Sequence, residues 1–249
     1  MPRKTSVNKA RQPLRAQLHG HTRADRVYSA IFDAILEQRL QAGVRLSEEG
    51  LGEIFGVSRT MIRQTLIRFA AEGIVSTQRH RGAQVKSPSP EEAAQTLSAR
   101  RLIELEITRL ATLRATAADF RELEQSISEE AQATKLGDRA LRIRLSGEFH
   151  LLLALVAGNQ VLFGFLRSLV PLSALVISQY ERPDVQPCSA QEHGELLAIM
   201  KAGDSKRAQK LMRQHLDHIE ARLSFSAALE PPTLRDLFQS YLEPVASGK

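Results

Sequence analysis

The chain of 249 residues contains one cysteine, Cys188, and no tryptophan, and only 5% of its residues are aromatic. A single cysteine excludes an internal disulfide framework and is compatible with a reducing compartment. No apolar run reaches the ~18 residues that a membrane-crossing helix requires. Arg167 and Pro171 interrupt the nearest candidate, residues 161–178. The first residues also lack the apolar core of a signal peptide. These absences predict a cytoplasmic protein that does not enter a membrane.

Positive charge is concentrated in the N-terminal third of the chain. The net charge is +6 overall, but residues 1–90 carry +8, from 15 Lys and Arg against 7 Asp and Glu. Residues 91–249 carry −2, from 19 basic and 21 acidic residues. This asymmetry predicts a polyanionic partner for the N-terminal third. Residues 1–22 hold five basic residues and no acidic one, and we predict that they form a disordered basic arm.

A helix is predicted from Thr22 to about Leu40, and two short helices joined by a tight turn follow it. Ser47 begins the first of them, on which Leu51 and Ile54 are expected to be buried. Gly56 supplies the left-handed backbone conformation of the turn, and Ser58 caps a second helix. Such a helix-turn-helix places the N-terminal residues of its second helix in the DNA major groove. There, Arg59 and Arg63, which lie one turn apart on one face, can reach phosphates or guanine edges.

A basic β-hairpin is predicted after the second of these helices. Residues 74–78 and 83–86 have the composition of two short strands, and the turn between them is basic. Three helices followed by such a ribbon form a winged helix-turn-helix, here assigned to residues 23–87. The tip of the wing, expected to contact the DNA backbone or minor groove, consists of Arg79, His80, Arg81 and Gly82.

The rest of the chain is predicted to be helical. Ser89 and Glu92 form a capping box around Pro90, and apolar periodicity then continues to residue 225. The predicted fold class is therefore mainly α, with an N-terminal winged helix-turn-helix and a C-terminal all-α helical bundle over residues 88–225. Residues 226–249 are expected to form a tail with at most one short helix.

Three histidines on three of these helices, His150, His193 and His215, are expected to point inward. One histidine on an apolar face is usually a core residue, but three in one small bundle suggest a site for a divalent metal such as zinc or nickel. Glu192 is interpreted as a helix cap, and Glu148 lies about 200° around its helix from His150. Phosphate-binding loops, nucleophile elbows and CxxC motifs are absent, so we expect no enzyme.

The motifs of both halves resemble those of the GntR family of bacterial transcription regulators, in the FadR-like branch that carries an FCD domain. The resemblance covers about residues 24–224. It depends on Phe55-Gly56-Val57-Ser58-Arg59-Thr60, Glu72-Gly73-Ile74-Val75, Arg101-Leu102-Ile103-Glu104, Phe149-His150, Glu192-His193 and His215-Leu216. It implies a homodimer, most simply a repressor, that binds a near-palindromic operator in double-stranded DNA. The operator contacts that the resemblance implies are Ser58, Arg59, Thr60 and Arg63. It also implies that a small-molecule effector in the helical domain changes the affinity for DNA.

The effectors of such proteins are often carboxylates held by a metal and by an arginine in the first bundle helix, a position that Arg101 occupies here. A surface arginine paired with Glu104 is the other interpretation of this residue. Many family members use Asp or Asn four residues before the first ligand histidine, where this chain has Ser146, a poor ligand. An effector carboxylate or water would then complete the site beside Ser146. A direct metal-sensing regulator and a three-histidine metalloenzyme remain the alternative functions.

Overall fold

In a computed structural model, the described residues are 14–18, 20, 22–78, 82–182 and 189–225. They form an N-terminal head and a C-terminal helical bundle. The head comprises α2 (Arg23–Leu36), β1 (Arg45–Leu46), α3 (Glu48–Phe55), α4 (Arg59–Ala71), β2 (Val75–Gln78) and β3 (Gly82–Val85). The bundle comprises α5 (Pro90–Arg114), α6 (Ala117–Lys135), α7 (Arg139–Ala157), α8 (Gln160–Tyr180), α9 (Ser189–Lys201) and α10 (Ser205–Ala221).

The head is a three-helix unit closed by a small antiparallel sheet. Its core includes Ile31, Ile62, Phe69 and Ile74, all at most 1% exposed. The strand order is β1-β3-β2, so the wing contains a third strand, Arg45–Leu46, that the sequence did not predict. A two-residue strand is too short to give an alternating pattern, and only its pairing with β3 defines it.

Ile54 is 76% exposed, so the prediction that it is buried on α3 was wrong. On this eight-residue helix, Leu51 and Phe55 lie one turn apart and both pack against the core. They take the inward positions, and Ile54 is left on the outer face.

The N-terminal arm is partly folded, which corrects the prediction of disorder over residues 1–22. Helix α1 (Leu14–Leu18) packs against α7, and Leu14 is 1% exposed. Its backbone N–H donates to Glu122 Oε2 at 2.7 Å, and Arg15 forms ion pairs with Glu129 at 2.6 Å and with Glu148. Residues 1–13 lie outside the described part. Acidic partners on the bundle, distant in sequence, order this basic segment.

The bundle surrounds α5, which packs against α7, α8, α9 and α10. The predicted capping box at its start is present, with Ser89 accepting from the N–H of Glu92 at 3.1 Å and Pro90 in the first helical position. Helix α7 carries an unbroken buried run from Glu148 to Ala157. The three histidines of the candidate metal centre lie on α7, α9 and α10.

Helix α8 is long and apolar enough to cross a bilayer by length and composition, with a mean hydropathy of 1.9, contrary to the inspection of the sequence. Core helices of soluble proteins satisfy the same criterion. In this structure α8 packs against α2, α5 and α7, with Leu166 and Val176 fully buried. Val161 and Phe165, at 66% and 57% exposure, leave an apolar face uncovered.

Candidate functional site

The turn between α3 and α4 adopts the geometry expected of a helix-turn-helix. Gly56 has φ of 60°, the left-handed conformation that glycine accepts most easily. Ser58 then caps α4, and its hydroxyl accepts from the N–H of Met61 at 3.3 Å. Helix α4 therefore starts at Arg59 with its first backbone N–H groups directed outward.

The first two turns of α4 present an exposed polar face. Arg59, Thr60, Arg63 and Gln64 are all exposed, whereas Ile62 and Leu66 on the opposite face are buried in the head. Arg59 forms no hydrogen bond or ion pair with the described residues, but Arg63 pairs with Glu48, at 2.9 Å between Nη2 and Oε2. The predicted DNA-contacting residues thus share one open surface.

The predicted wing tip is only partly described. Gly82 begins β3 and pairs with Gln78 of β2. Arg79, His80 and Arg81 lie outside the described residues. The role assigned to these three residues therefore stays a prediction from the sequence.

The three predicted histidines converge inside the bundle. His150, His193 and His215 are 1%, 1% and 3% exposed, and one nitrogen from each lies within 4.8 Å of those of the other two. The Nε2 atoms of His150 and His215 are 3.3 Å apart. Two nitrogens bound tetrahedrally to one zinc ion at about 2.0–2.1 Å would be separated by a similar distance.

Each histidine is oriented by a carboxylate on its other ring nitrogen. The Nδ1 atom of His150 lies 2.5 Å from Glu104, that of His193 lies 2.9 Å from Glu130, and that of His215 lies 2.6 Å from Glu192. Such carboxylate–histidine pairs fix ring orientation and tautomer at metal sites. With each Nδ1–H donated to a carboxylate, each Nε2 lone pair remains available toward the centre of the cluster.

These three carboxylates were missed as functional residues. The interpretation of Glu192 as only a helix cap was incomplete, because its two oxygens contact His215 and the exposed His218, both at 2.6 Å. Glu130 sits among the buried residues Leu123, Ser126 and Ala133 of α6. An acidic residue on an otherwise buried stripe was the signal that could have identified it. Glu148, as predicted, points elsewhere, toward Arg15 and Arg144.

Burial keeps the cluster in the form that a metal would require. Burial lowers the pKa of His150 to about 3 and that of His215 to about 4, so both rings are neutral at pH 7. Burial alone would raise the pKa of Glu104, but the charge of Arg100 and the hydrogen bonds from His150 and Arg100 hold it at about 2. A neutral imidazole beside an ionised carboxylate is the donor arrangement of a metal ligand.

One ring nitrogen of the cluster is buried without a hydrogen bond. Nε2 of His193 has no partner among the described residues. A buried polar atom without a partner costs about 1–3 kcal/mol, and native proteins rarely leave one without compensation. Three converging nitrogen donors, one of which has no hydrogen-bond partner, fit a divalent metal of the zinc or nickel type.

A cavity that opens to solvent is lined by residues of α2, α5, α7, α8 and α10. Ser146 of α7 and Ile219 of α10 line it, and each lies one helical turn from a cluster histidine. Three guanidinium groups also line the cavity, those of Arg100, Arg142 and Arg222, together with the carboxylate of Glu181. Ser146 therefore lines a cavity one helical turn before His150, and its role as an effector contact stays a prediction.

Arg101 does not line this cavity. Its guanidinium pairs with Asp217 of α10 at 2.8 Å and with Glu220, so it joins α5 to α10. Pairing of Arg101 with Glu104 does not occur either, because Glu104 pairs with Arg100. On helix α5, Arg100 rather than Arg101 points inward and is 4% exposed. The resemblance assigned an effector contact to Arg101, and this assignment stays a prediction.

A winged helix-turn-helix joined to a helical bundle with a cavity defines a two-domain transcription regulator. Residues 23–85 match the family described as bacterial regulatory proteins, gntR family, and residues 95–218 match the FCD domain. The chain belongs to the GntR family and carries an FCD domain, as its motifs predicted.

Similar proteins of known role are also regulators. The chain is 26% identical to the Uxu operon regulator of Haemophilus influenzae, over 90% of this chain and 91% of that protein. It is 23% identical to the HTH-type transcriptional repressor RspR of Escherichia coli, over 84% and 88% of the two chains. The expectation that the protein is not an enzyme is confirmed by these relatives.

Solved structures show the same fold. McbR/YncC of E. coli matches with a TM-score of 0.70 and 20% identity, covering 81% of this chain and 99% of that one. A GntR regulator described as putative, from Rhodococcus sp. RHA1, matches with a TM-score of 0.67 and 20% identity, over 81% and 97%. The predicted fold class is confirmed.

Proposed function

We propose that the protein is a cytoplasmic, ligand-responsive repressor that binds a near-palindromic operator as a homodimer. The observation that carries the proposal is the open N-terminal face of α4, where Arg59, Thr60 and Arg63 stand together on a winged head. The name of the relative RspR supports repression as the mode of action. Phosphate contacts would supply affinity, and the arginines would supply base preference.

The test of DNA recognition is an Arg59→Ala variant titrated on the DNA upstream of its own gene. Loss of an arginine–guanine contact should weaken operator binding by about 1–3 kcal/mol and relax the preference at one base. Arg109→Ala is a matched control, because Arg109 is an exposed arginine of the bundle that pairs with Glu106. Unchanged affinity and base preference in Arg59→Ala would contradict the assigned role.

A homodimer formed through the uncovered face of α8 fits the proposal. Val161 and Phe165 lie one turn apart on this face, and both are more than half exposed. A second copy of the chain would bury them, and a two-fold related pair of heads would match a palindromic operator. Because the proposed regulator needs two heads, we infer that a second copy of the chain covers this apolar face.

The cavity supports an anionic effector. Three guanidinium groups face one carboxylate there, and Arg142 has no ion pair within the described residues. Burial lowers the pKa of Arg142, and the charge of Glu181 opposes this change. Because Arg100 is paired with Glu104 and Arg222 with Glu181, the charge that a bound carboxylate would neutralise is that of Arg142. Arg100, Arg142, Arg222 and Ser146 are the proposed effector contacts.

The effector test is a thermal-shift screen of metabolite acids. An acid that binds the native state should raise the unfolding temperature, and Arg142→Ala should remove the shift. The same acid should then change operator affinity, because effector action is a coupling free energy between two sites. Operator affinity identical with and without every acid that binds would contradict effector control.

The histidine cluster would hold a divalent metal through His150, His193 and His215. When bound, zinc or nickel would supply a Lewis-acidic coordination position for an effector carboxylate. The role of the chain is to orient the three rings through Glu104, Glu130 and Glu192, while burial keeps His150 and His215 neutral. Ser146 lines the cavity four residues before His150, at the position where many family members carry an acid.

Direct metal sensing is the second candidate, favoured by the same buried cluster. One experiment on purified protein distinguishes metal sensing from control by a carboxylate effector. If chelator alone changes operator affinity and no carboxylate does, the metal is the signal. If a carboxylate changes affinity only in the metal-loaded protein, the metal is a structural part of the effector site. The metalloenzyme alternative loses support, because the relatives of known role are regulators.

A further inference from the structure

The two recognition arginines differ in how they are held. Arg59 has no hydrogen bond or ion pair with the part of the chain that the structure describes. Arg63 forms a two-pronged contact with Glu48, from Nε to Oε1 at 3.0 Å and from Nη2 to Oε2 at 2.9 Å. Glu48 is the first residue of α3, and it stands on a turn fixed by the Ser47 cap. The contact therefore joins the two helices of the helix-turn-helix.

The carboxylate uses only one side of the Arg63 guanidinium. It occupies the fork formed by Nε and Nη2, and Nη1 takes no part in the contact. A guanidinium has a second fork, formed by Nη1 and the remaining hydrogen of Nη2. That end-on fork matches the O6 and N7 acceptors of guanine. Arg63 can therefore contact a base without leaving Glu48.

Glu48 is ionised in its contact with Arg63. The hydrogen bond from Arg63 lowers the pKa of Glu48, and a carboxylate in the first turn of a helix is also favoured by the helix dipole. An ionised carboxylate close to DNA repels phosphates and so weakens binding to every sequence. Because Glu48 weakens DNA binding in this way, it must contribute to recognition by another route. Its contact with Arg63 indicates that route.

We propose that Glu48 is a positioning residue for base recognition, which holds the guanidinium of Arg63 so that its end-on fork meets a single base. The inference rests on the proposed DNA-binding function and extends it to a residue outside the recognition helix. Because Glu48 already orders the long side chain of Arg63, DNA binding does not lose the conformational entropy of that side chain. This gain in affinity is realised only when the base lies where the ordered guanidinium can reach it. Arg59 is not held, so it can adapt to phosphate or base.

The test compares Glu48→Gln with Glu49→Gln in the full-length protein. Both variants remove one negative charge from the start of α3, but Glu49 is exposed and makes no contact with Arg63. The DNA probe is the consensus duplex that the wild-type protein selects from random sequences. The base read by Arg63 is the position at which Arg63→Ala loses its preference. Circular dichroism and unfolding temperature verify that each variant is folded.

Glu48→Gln should lower discrimination at that base by about three- to tenfold, whereas Glu49→Gln should leave discrimination unchanged. Both should bind non-specific DNA somewhat more tightly. In an Arg63→Ala background, Glu48→Gln should have no further effect on discrimination. Equal behaviour of the two glutamine variants would overturn the proposal, and so would an Arg63→Ala variant that relaxes no base. Failure of the wild-type protein to select any consensus would instead contradict the proposed function itself.

Discussion

At the scale of single residues, the orientation of the histidine rings depends on carboxylates that are not among the three proposed metal ligands. Glu130 is fully buried, and its carboxylate meets Nδ1 of His193 at 2.9 Å. Replacing it by glutamine keeps the size of the side chain but removes the charge that orients the ring. Outer carboxylates of this kind contribute to metal affinity almost as the ligands do.

Glu130→Gln should therefore lower the affinity for zinc or nickel by about 10- to 100-fold, measured by competition with a chelator of known affinity. Glu195→Gln is the matched control, because Glu195 is exposed on α9, two residues after His193, and contacts only Gln191 in the described structure. Equal metal affinity in the two variants would show that Glu130 does not support a metal site.

Single residues also show what the sequence could predict. The caps Ser58 and Ser89 were predicted because a capping hydroxyl and the backbone N–H that donates to it are three residues apart. The pairing of His193 with Glu130 spans 63 residues, and no local pattern encodes it. Arg100 and Arg101 are adjacent on one helix, and only the packing of α5 decides which of them faces the cavity.

At the scale of elements, the N-terminal segment behaves as part of the bundle. Helix α1 is too short to be stable alone, so packing against α7 must stabilise it. Leu18 lines a cavity between the head and the bundle together with Phe32 of α2 and Leu151 of α7. Composition predicted a solvated arm because the basic residues were visible but their acidic partners on α6 and α7 were not.

Leu14→Ala should lower the free energy of unfolding by about 2–3 kcal/mol, as expected when a buried leucine is truncated. Leu136→Ala is the control, because Leu136 is 74% exposed and its truncation should change stability by less than about 0.5 kcal/mol. Urea denaturation of both variants measures the difference. Equal midpoints would mean that α1 does not dock in solution.

At the scale of the whole molecule, the account requires two copies of the chain. The apolar face of α8 is the proposed contact, and the sequence could not identify it because buried and exposed apolar residues alternate along the same helix. Leu166 is fully buried beside the exposed Phe165. Only the packing of α8 against α2, α5 and α7 shows which side remains open.

Phe165→Asp should convert the dimer to a monomer, because it places a charge where the two apolar faces would meet. Sedimentation equilibrium measures the mass directly, and Leu136→Asp provides an exposed apolar position away from α8 as control. The monomeric variant should also lose most of its operator affinity, since one head would reach only one half-site. A Phe165→Asp variant that remains dimeric would exclude this face as the interface.

The central claim is that two heads read two half-sites through α4. Footprinting of the full-length protein on the DNA upstream of its own gene tests it most directly. The account predicts two symmetric protected half-sites whose centres lie about one helical turn, 10–10.5 base pairs, or a multiple of it apart. Absence of protection, or a single asymmetric site, would contradict the account.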